Sequence, residues 1–287
     1  MTAETLENRK EPGMIKDNID PSKWAWWAIL LIVAGICVAL VLIINPDYNE
    51  TFIYLLAGVS VTLRITFFAY LLATIIGLFV GLARVSKNVF VYNAATLYVE
   101  VVRGIPMIVL ILYFAYAFIP VLVAGINGIG SWGLTFASGN GFFTGLAGFS
   151  IREIPPELRG IMALAFGYGA FEAEVFRAGI QSIGKGQMEA AKSLGMTYLQ
   201  SMRFVILPQA IRRVLPPLGN DFIACLKDSA LLTVVAINEL TQLSRLRRAS
   251  TFQVMQTFNT VAFMYLSMTL ILSAGVRLLE KKMKIEE

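Results

Sequence analysis

Seven polar side chains stand where an apolar chain can least tolerate them. Glu172, Glu174 and Arg177 fall inside one apolar segment, and Asn220, Asp221, Lys227 and Asp228 fall inside another. An ionisable group within a membrane span costs about 2.5–3.5 kcal/mol on insertion scales, so each needs a partner, water or a ligand. Glu174 and Arg177 have the i, i+3 spacing at which opposite charges pair along one helix face, and they are read as a structural ion pair. Glu172 is rotated about 200° from Glu174 at about 100° per helical residue, so it cannot share that pair. Facing a pathway, Glu172 would recognise a cationic group; facing another helix, it would be a buried structural acid. Asn220 and Lys227 lie two helical turns apart on one face, and Asp221 and Asp228 are matched in the same way. A helix this polar either lines a pathway or forms a subunit interface, and the carboxylates suit a cationic or zwitterionic solute.

Covalent chemistry has little to work with here. The chain has no His, which removes His-based acid–base catalysis and His-containing metal sites. There is no Gly-x-Ser-x-Gly and no carboxylate pair at a spacing suited to hydrolysis, so a membrane-embedded enzyme has little support. Gly179-x-x-x-x-Gly184-Lys185 has the outline of a phosphate-binding loop, but Gly186 stands where Ser or Thr is needed and an apolar helix precedes it. No nucleotide, cofactor or metal is therefore expected on this chain. Cys37 and Cys225 fall in apolar spans and are read as packing residues.

Composition says what must position these groups. Hydrophobic residues make up 57% of the 287 and charged residues 15%, the balance of an integral membrane protein. The net charge of +5 is what basic cytoplasmic loops produce, and nucleic acid need not be invoked.

Residues 1–23 read as a polar cytoplasmic tail. Trp24–Ile44 carries no charge and is long enough to cross a hydrocarbon core of about 30 Å, giving an added N-terminal transmembrane helix at 24–44. Asn45–Thr51 reads as an outer loop, Leu56–Leu82 as the second span, and Val89–Val102 as a helix at the inner surface. Arg64, the only ionisable residue of the second span, is placed near its outer end, and Arg84 with Lys87 marks a cytoplasmic turn. The third span starts at Arg103-Gly104-Ile105-Pro106, and Gly125–Pro156 reads as a long outer loop with short interfacial pieces. Spans at about 158–180, 209–237 and 257–279 complete six, with both termini inside. Lys and Arg concentrate in the segments this topology puts inside, and the cluster Arg245, Arg247 and Arg248 is the counterevidence. Those three are read as an interfacial outer stretch.

Between the fourth and fifth spans lies Gln187-Met188-Glu189-Ala190-Ala191-Lys192-Ser193-Leu194-Gly195. Glu189–Leu194 reads as a short solvated helix, and Gly195 as the residue that ends it at positive φ. Apolar segments on both sides hold it at the membrane surface, where a soluble partner could meet it. Leu207-Pro208-Gln209-Ala210, Leu215-Pro216-Pro217-Leu218 and Lys227-Asp228-Ser229 follow, and Ala173–Ile180 precedes. In these strings, from about Leu56 to Glu280, the chain closely resembles the inner-membrane permease subunit of ABC importers, in the polar amino-acid branch.

The resemblance implies an all-α integral membrane protein of the type I importer permease fold, with a permease domain at 56–284 and the N-terminal helix as an addition. It implies a coupling helix at about 186–196 in which Glu189, Ala190, Ala191 and Gly195 seat in a groove of a separate ATPase. ATP and magnesium would be bound by that ATPase. The other implied partners are a second permease copy, identical or related, and an extracytoplasmic amino-acid-binding protein. Glu172, Asn220, Asp221, Lys227 and Asp228 become candidates for the substrate pathway, for basic amino acids or glutamine, in a bacterial inner membrane. Ile105, Glu172 and Asp228 depart from the pattern, which commonly has Thr, an uncharged residue and Thr at these places. The alternative class is an ion-driven secondary transporter, whose inverted repeats are not seen.

Overall fold

The computed structural model describes residues 26–283, and the 1–23 tail expected from the sequence lies outside them. Every regular element among the described residues is helical. In chain order these are α1 (Trp26–Ile44), α2 (Pro46–Ala83), α3 (Val89–Gly104), α4 (Met107–Tyr113), α5 (Ile119–Phe136), α6 (Gly141–Ala147), α7 (Pro156–Gln181), α8 (Lys185–Ser193), α9 (Tyr198–Ser201), α10 (Leu207–Asp228), α11 (Leu240–Thr251) and α12 (Val254–Met283). A π turn at Phe114–Phe118 fuses α4 to α5, and a second at Met202–Ile206 fuses α9 to α10. Residues 46–83, 107–136 and 254–281 are each long and apolar enough to cross a membrane. Helices α7 and α10 have the length to cross, 26 and 22 residues, but carry the polar groups singled out above. Helix α1 is an uncharged 19-residue rod.

The core forms where α2 packs on α7. Helix α2 buries a stripe of small residues, among them Ala69, Ala73, Gly77 and Gly81, and small residues let membrane helices approach until backbones touch. At Gly77 the approach is complete: a Cβ there would lie 2.6 Å from the Glu172 Cβ and 3.1 Å from the Ala173 nitrogen. Ile65, Ala69 and Ala73 of α2, Leu164 and Tyr168 of α7, Ile111 and Phe114 beside α4, and Cys225 of α10 form one buried cluster. A second, smaller cluster joins Leu55, Leu240, Val261 and Met264, tying α2 to α11 and α12.

Two boundaries differ from the sequence expectation. Asn45–Thr51 is no loop: Asn45 caps α2 by accepting from the Asp47 and Tyr48 backbone N–H groups, Pro46 sits at the first helical position, and Asp47 falls in the first turn, where its charge suits the helix dipole. Gly125–Pro156 is mostly helical as well. Two of its glycines serve close packing, since a Cβ at Gly130 would lie 2.3 Å from the Ala147 nitrogen and one at Gly133 would meet the Phe143 ring. Helices α5 and α6 are thereby packed as a pair. The surface helix expected at 89–102 is present as α3, capped by the Asn88 side chain.

The arginines expected in an outer stretch find partners within the chain. Arg247 pairs with Glu50 at 3.2 Å and lies over the Tyr54 ring, Arg248 lies over Phe258, and Arg245 donates to the Thr233 hydroxyl at 3.2 Å. Arg64, placed near the outer end of its span, pairs with Glu157 at 2.8 Å at the start of α7.

Candidate functional site

Two sets of residues make up the site, a surface ledge around α8 and a polar row along α7 and α10. The ledge is built by local rules. Helix α8 ends on Gly195 at φ +81°, with the Gly195 N–H donating to Lys192 O at 2.9 Å and the Met196 N–H to Ala191 O at 3.1 Å. Those two bonds are the Schellman motif, which satisfies carbonyls that a helix end leaves unpaired. Ile183, Ile206 and Ala210 form a small cluster under the ledge, with Met188 packed against it. Ala191 is buried within the chain, whereas Glu189, Ala190 and Gly195 are exposed. The sequence reading had both alanines facing a partner; in the structure Ala191 anchors the helix and Ala190 faces out. Leu194, Tyr198 and Leu199 are exposed beside them, at 83%, 59% and 77%.

Hydrogen bonds fasten the ledge to α10. Arg213 donates to the Ser182 carbonyl oxygen at 2.5 Å, and the Ser182 hydroxyl donates to Gly179 O at 2.7 Å.

The polar row begins in the C-terminal half of α7. Glu174 and Arg177 pair as expected, with Arg177 Nε donating at 3.1 Å. Arg84, the C-cap residue of α2, donates to Glu174 at 2.5 Å and lies 3.7 Å from Glu100 of α3, so one guanidinium ties three helices. The sequence reading placed Arg84 in a cytoplasmic turn. Nothing in its local pattern shows that the close approach at Gly77 and Gly81 buries it against Glu174.

On α10, Asp228 accepts from the Tyr168 hydroxyl at 2.8 Å, Asp221 is half-buried, and Asn220 and Lys227 are exposed. Arg103 stands over the Phe171 ring, 5.5 Å from its centroid, and within charge range of Asp221. Glu172 is set apart from this row: it is fully buried against Gly77 of α2. Tyr70, Tyr168 and Arg103 complete the polar centre, and sequence reasoning missed all three because tyrosines and a helix-end arginine are ordinary in membrane segments. Among the described residues no group of three His, Cys, Asp or Glu side chains could hold a metal.

An all-helical membrane chain with a row of polar groups and an exposed short helix between its long ones has the build of a transport subunit. Comparison with known proteins is specific. Residues 73–285 match the family described as binding-protein-dependent transport system inner membrane component, and the chain belongs to that family, the permeases of ABC importers. It is 34% identical over 235 residues to the probable amino-acid ABC transporter permease YckA of Bacillus subtilis, covering 81% of this chain and 90% of the relative. It is 32% identical over 231 residues to the glutamine transport system permease GlnP of Escherichia coli, covering 80% and 93%. Among solved structures, one of an amino acid ABC transporter with histidines superposes with a TM-score of 0.64 at 35% identity, covering 82% of this chain and 95% of that one. The MetNI methionine transporter in an inward-facing conformation gives 0.62 at 22% identity, which speaks for the fold alone.

Proposed function

We propose that this chain is the permease of an ATP-driven importer of polar amino acids, a class that includes glutamine and the basic amino acids. The observation that carries the reading is the Gly195-terminated ledge, exposed at Glu189, Ala190, Leu194 and Leu199 and bonded through Arg213 to α10. Names of the similar proteins support the solute class, since they include glutamine and nopaline transport permeases.

In this reading α8 seats in a separate ATPase, which binds ATP and magnesium. Closure of the ATPase pair moves the ledge, and the Arg213–Ser182 link passes the displacement to α10. Two permease copies face each other, identical or related, with both termini inside a bacterial inner membrane, and an external amino-acid-binding protein delivers the solute. Asn220, Asp221, Lys227 and Asp228 line the path, where weak screening lets a carboxylate attract the ammonium group of a passing amino acid.

Co-purification followed by uptake into vesicles tests the proposal. The chain should bring down an ATPase, and uptake of labelled glutamine or arginine should require ATP, the ATPase and the binding protein. Uptake driven by an ion gradient with no ATPase present would instead make the chain a secondary transporter.

A further inference from the structure

Helices α1 and α12 leave a groove of about 410 Å³ between them. Leu31, Gly35 and Val38 line it from α1, and Asn259, Ala262 and Leu266 from α12. Gly35 shows how far apart the walls stand, since a Cβ built there meets no atom within 4 Å. This glycine does not draw two helices together as Gly77 does. Lipid tails are as apolar as the side chains, so no hydrophobic force closes such a gap in a bilayer, yet an empty gap forfeits dispersion contacts on both walls. An apolar occupant restores them.

Length selects that occupant. From Leu31 to Val41 the groove follows α1 for about 15 Å, at about 1.5 Å per residue. That is half of a hydrocarbon core of about 30 Å, the depth of one leaflet. A helix of the same length, about 10 Å across, would occupy roughly 1,200 Å³, so it could only lie over the groove and leave the gap unfilled. A lipid acyl chain has the depth of one leaflet and can follow the walls.

Where α1 turns into α2, the end of the groove becomes polar. The Asn259 amide donates to the Tyr48 hydroxyl at 3.2 Å, and among the described residues the Tyr48 O–H meets no acceptor. Arg248 lies over the ring of Phe258, which shares a face of α12 with the groove-lining Ala262 four residues on. Arg245 and Arg248 are both exposed, and among the described residues no carboxylate lies within 4 Å of either guanidinium. Arg247 is the contrast, because Glu50 meets its charge at 3.2 Å. Asp47, in the first turn of α2, is the other acid at this end. Arginines therefore outnumber carboxylates where the groove opens.

Phe252, Val254 and Met255 follow Arg248 and are exposed. A cation beside large apolar side chains is what a chain presents at the level of lipid headgroups. A free guanidinium at that level, with a groove of one leaflet's depth below it, repeats the order of parts in a phospholipid.

We propose that this groove binds one anionic phospholipid: an acyl chain lies along Gly35 and Ala262, the phosphate rests on Arg248, and the glycerol end faces the Tyr48–Asn259 pair. A zwitterionic headgroup would bring its ammonium beside Arg245 and Arg248, so phosphatidylglycerol is preferred over phosphatidylethanolamine. The assignment depends neither on the solute nor on the ATPase.

Native mass spectrometry of the purified full-length protein, titrated with phosphatidylglycerol or phosphatidylethanolamine of the same acyl chains, tests it. One phosphatidylglycerol per chain should survive activation that strips the other lipid. Arg248→Gln should weaken that adduct about fivefold, the share of one basic side chain near an anionic lipid, and Arg248→Lys should keep most of it. Ala34→Trp and Ala262→Trp put a ring into the groove from either wall, and each should abolish the retained adduct. Both alanines are exposed, so neither ring displaces a packed side chain. A photo-crosslinker placed at position 34 in intact membranes should label lipid.

Equal retention of the two lipids by the wild type, an unchanged adduct in Arg248→Gln, or an adduct that persists in both tryptophan variants overturns the proposal. Capture of a polypeptide instead of lipid at position 34 also overturns it, because the groove would then seat a partner helix. The wild-type comparison of the two lipids decides the matter even if the tryptophan variants fail to accumulate.

Discussion

Glycine does two different jobs in two regions of this molecule. In the α2–α7 seam, Gly77 has ordinary helical geometry and no space: the neighbouring helix lies where its side chain would be. On the ledge, Gly195 has open space and an unusual backbone, φ +81°. The first is a constraint of packing between helices, the second a constraint of the chain on itself. Their loss should therefore fail in different assays: the seam holds the fold together, and the ledge holds one helix end at one angle.

The largest expected effect is at Gly77. Gly77→Leu forces two backbones apart in a core without slack, at a cost of about 1–3 kcal/mol or more, so membrane abundance measured by immunoblot should fall about tenfold. Gly195→Val comes next. It strains a left-handed residue by about 1–3 kcal/mol and misdirects the chain after α8, so ATP-driven uptake should fall about tenfold while abundance stays normal. If both variants lose abundance equally, the division between the two regions is wrong.

Arg84→Gln should have a middle effect, because Glu174 keeps Arg177 as a partner. An abundance loss of about threefold is expected, and adding Glu174→Gln should cost less than the sum of the single losses, as coupled partners do. The smallest effect is the control at Gly35 in α1. No atom lies within 4 Å of a Cβ built there, so Gly35→Leu should leave abundance and uptake unchanged. The same substitution that disables the seam should pass unnoticed on this outer helix.

Local rules were legible in the sequence, and approach between helices was not. Gly195 after a short polar helix declared its positive φ, and the Glu174–Arg177 spacing declared an ion pair, because each depends on neighbours in the chain. Arg84 could not be assigned to Glu174, since they meet only after α2 and α7 close on Gly77 and Gly81. The glycines of α5 read as a loop for the same reason: without α6 opposite, a Gly needed for contact looks like a Gly that breaks a helix. At Glu172 the sequence offered two faces, and only packing places it against α2. At Ala191 the sequence suggested small size for a partner, while the fold uses that size to seat α8.

The π turn at Met202–Ile206 gives the ledge a phase as well as a position. A π turn takes one residue more than the α-helical turn it replaces, and in an α-helix each residue carries about 100° of rotation and about 1.5 Å of rise. The bearing of Leu194, Tyr198 and Leu199 relative to α10 is therefore set by an integer, the number of residues between Thr197 and Leu207. Composition hardly matters to that setting, and length decides it. A single deletion between Met202 and Ile206 would be absorbed as the π turn closes to α, leaving the ledge at nearly the same bearing on α10, whereas a second deletion would swing it by about 100°.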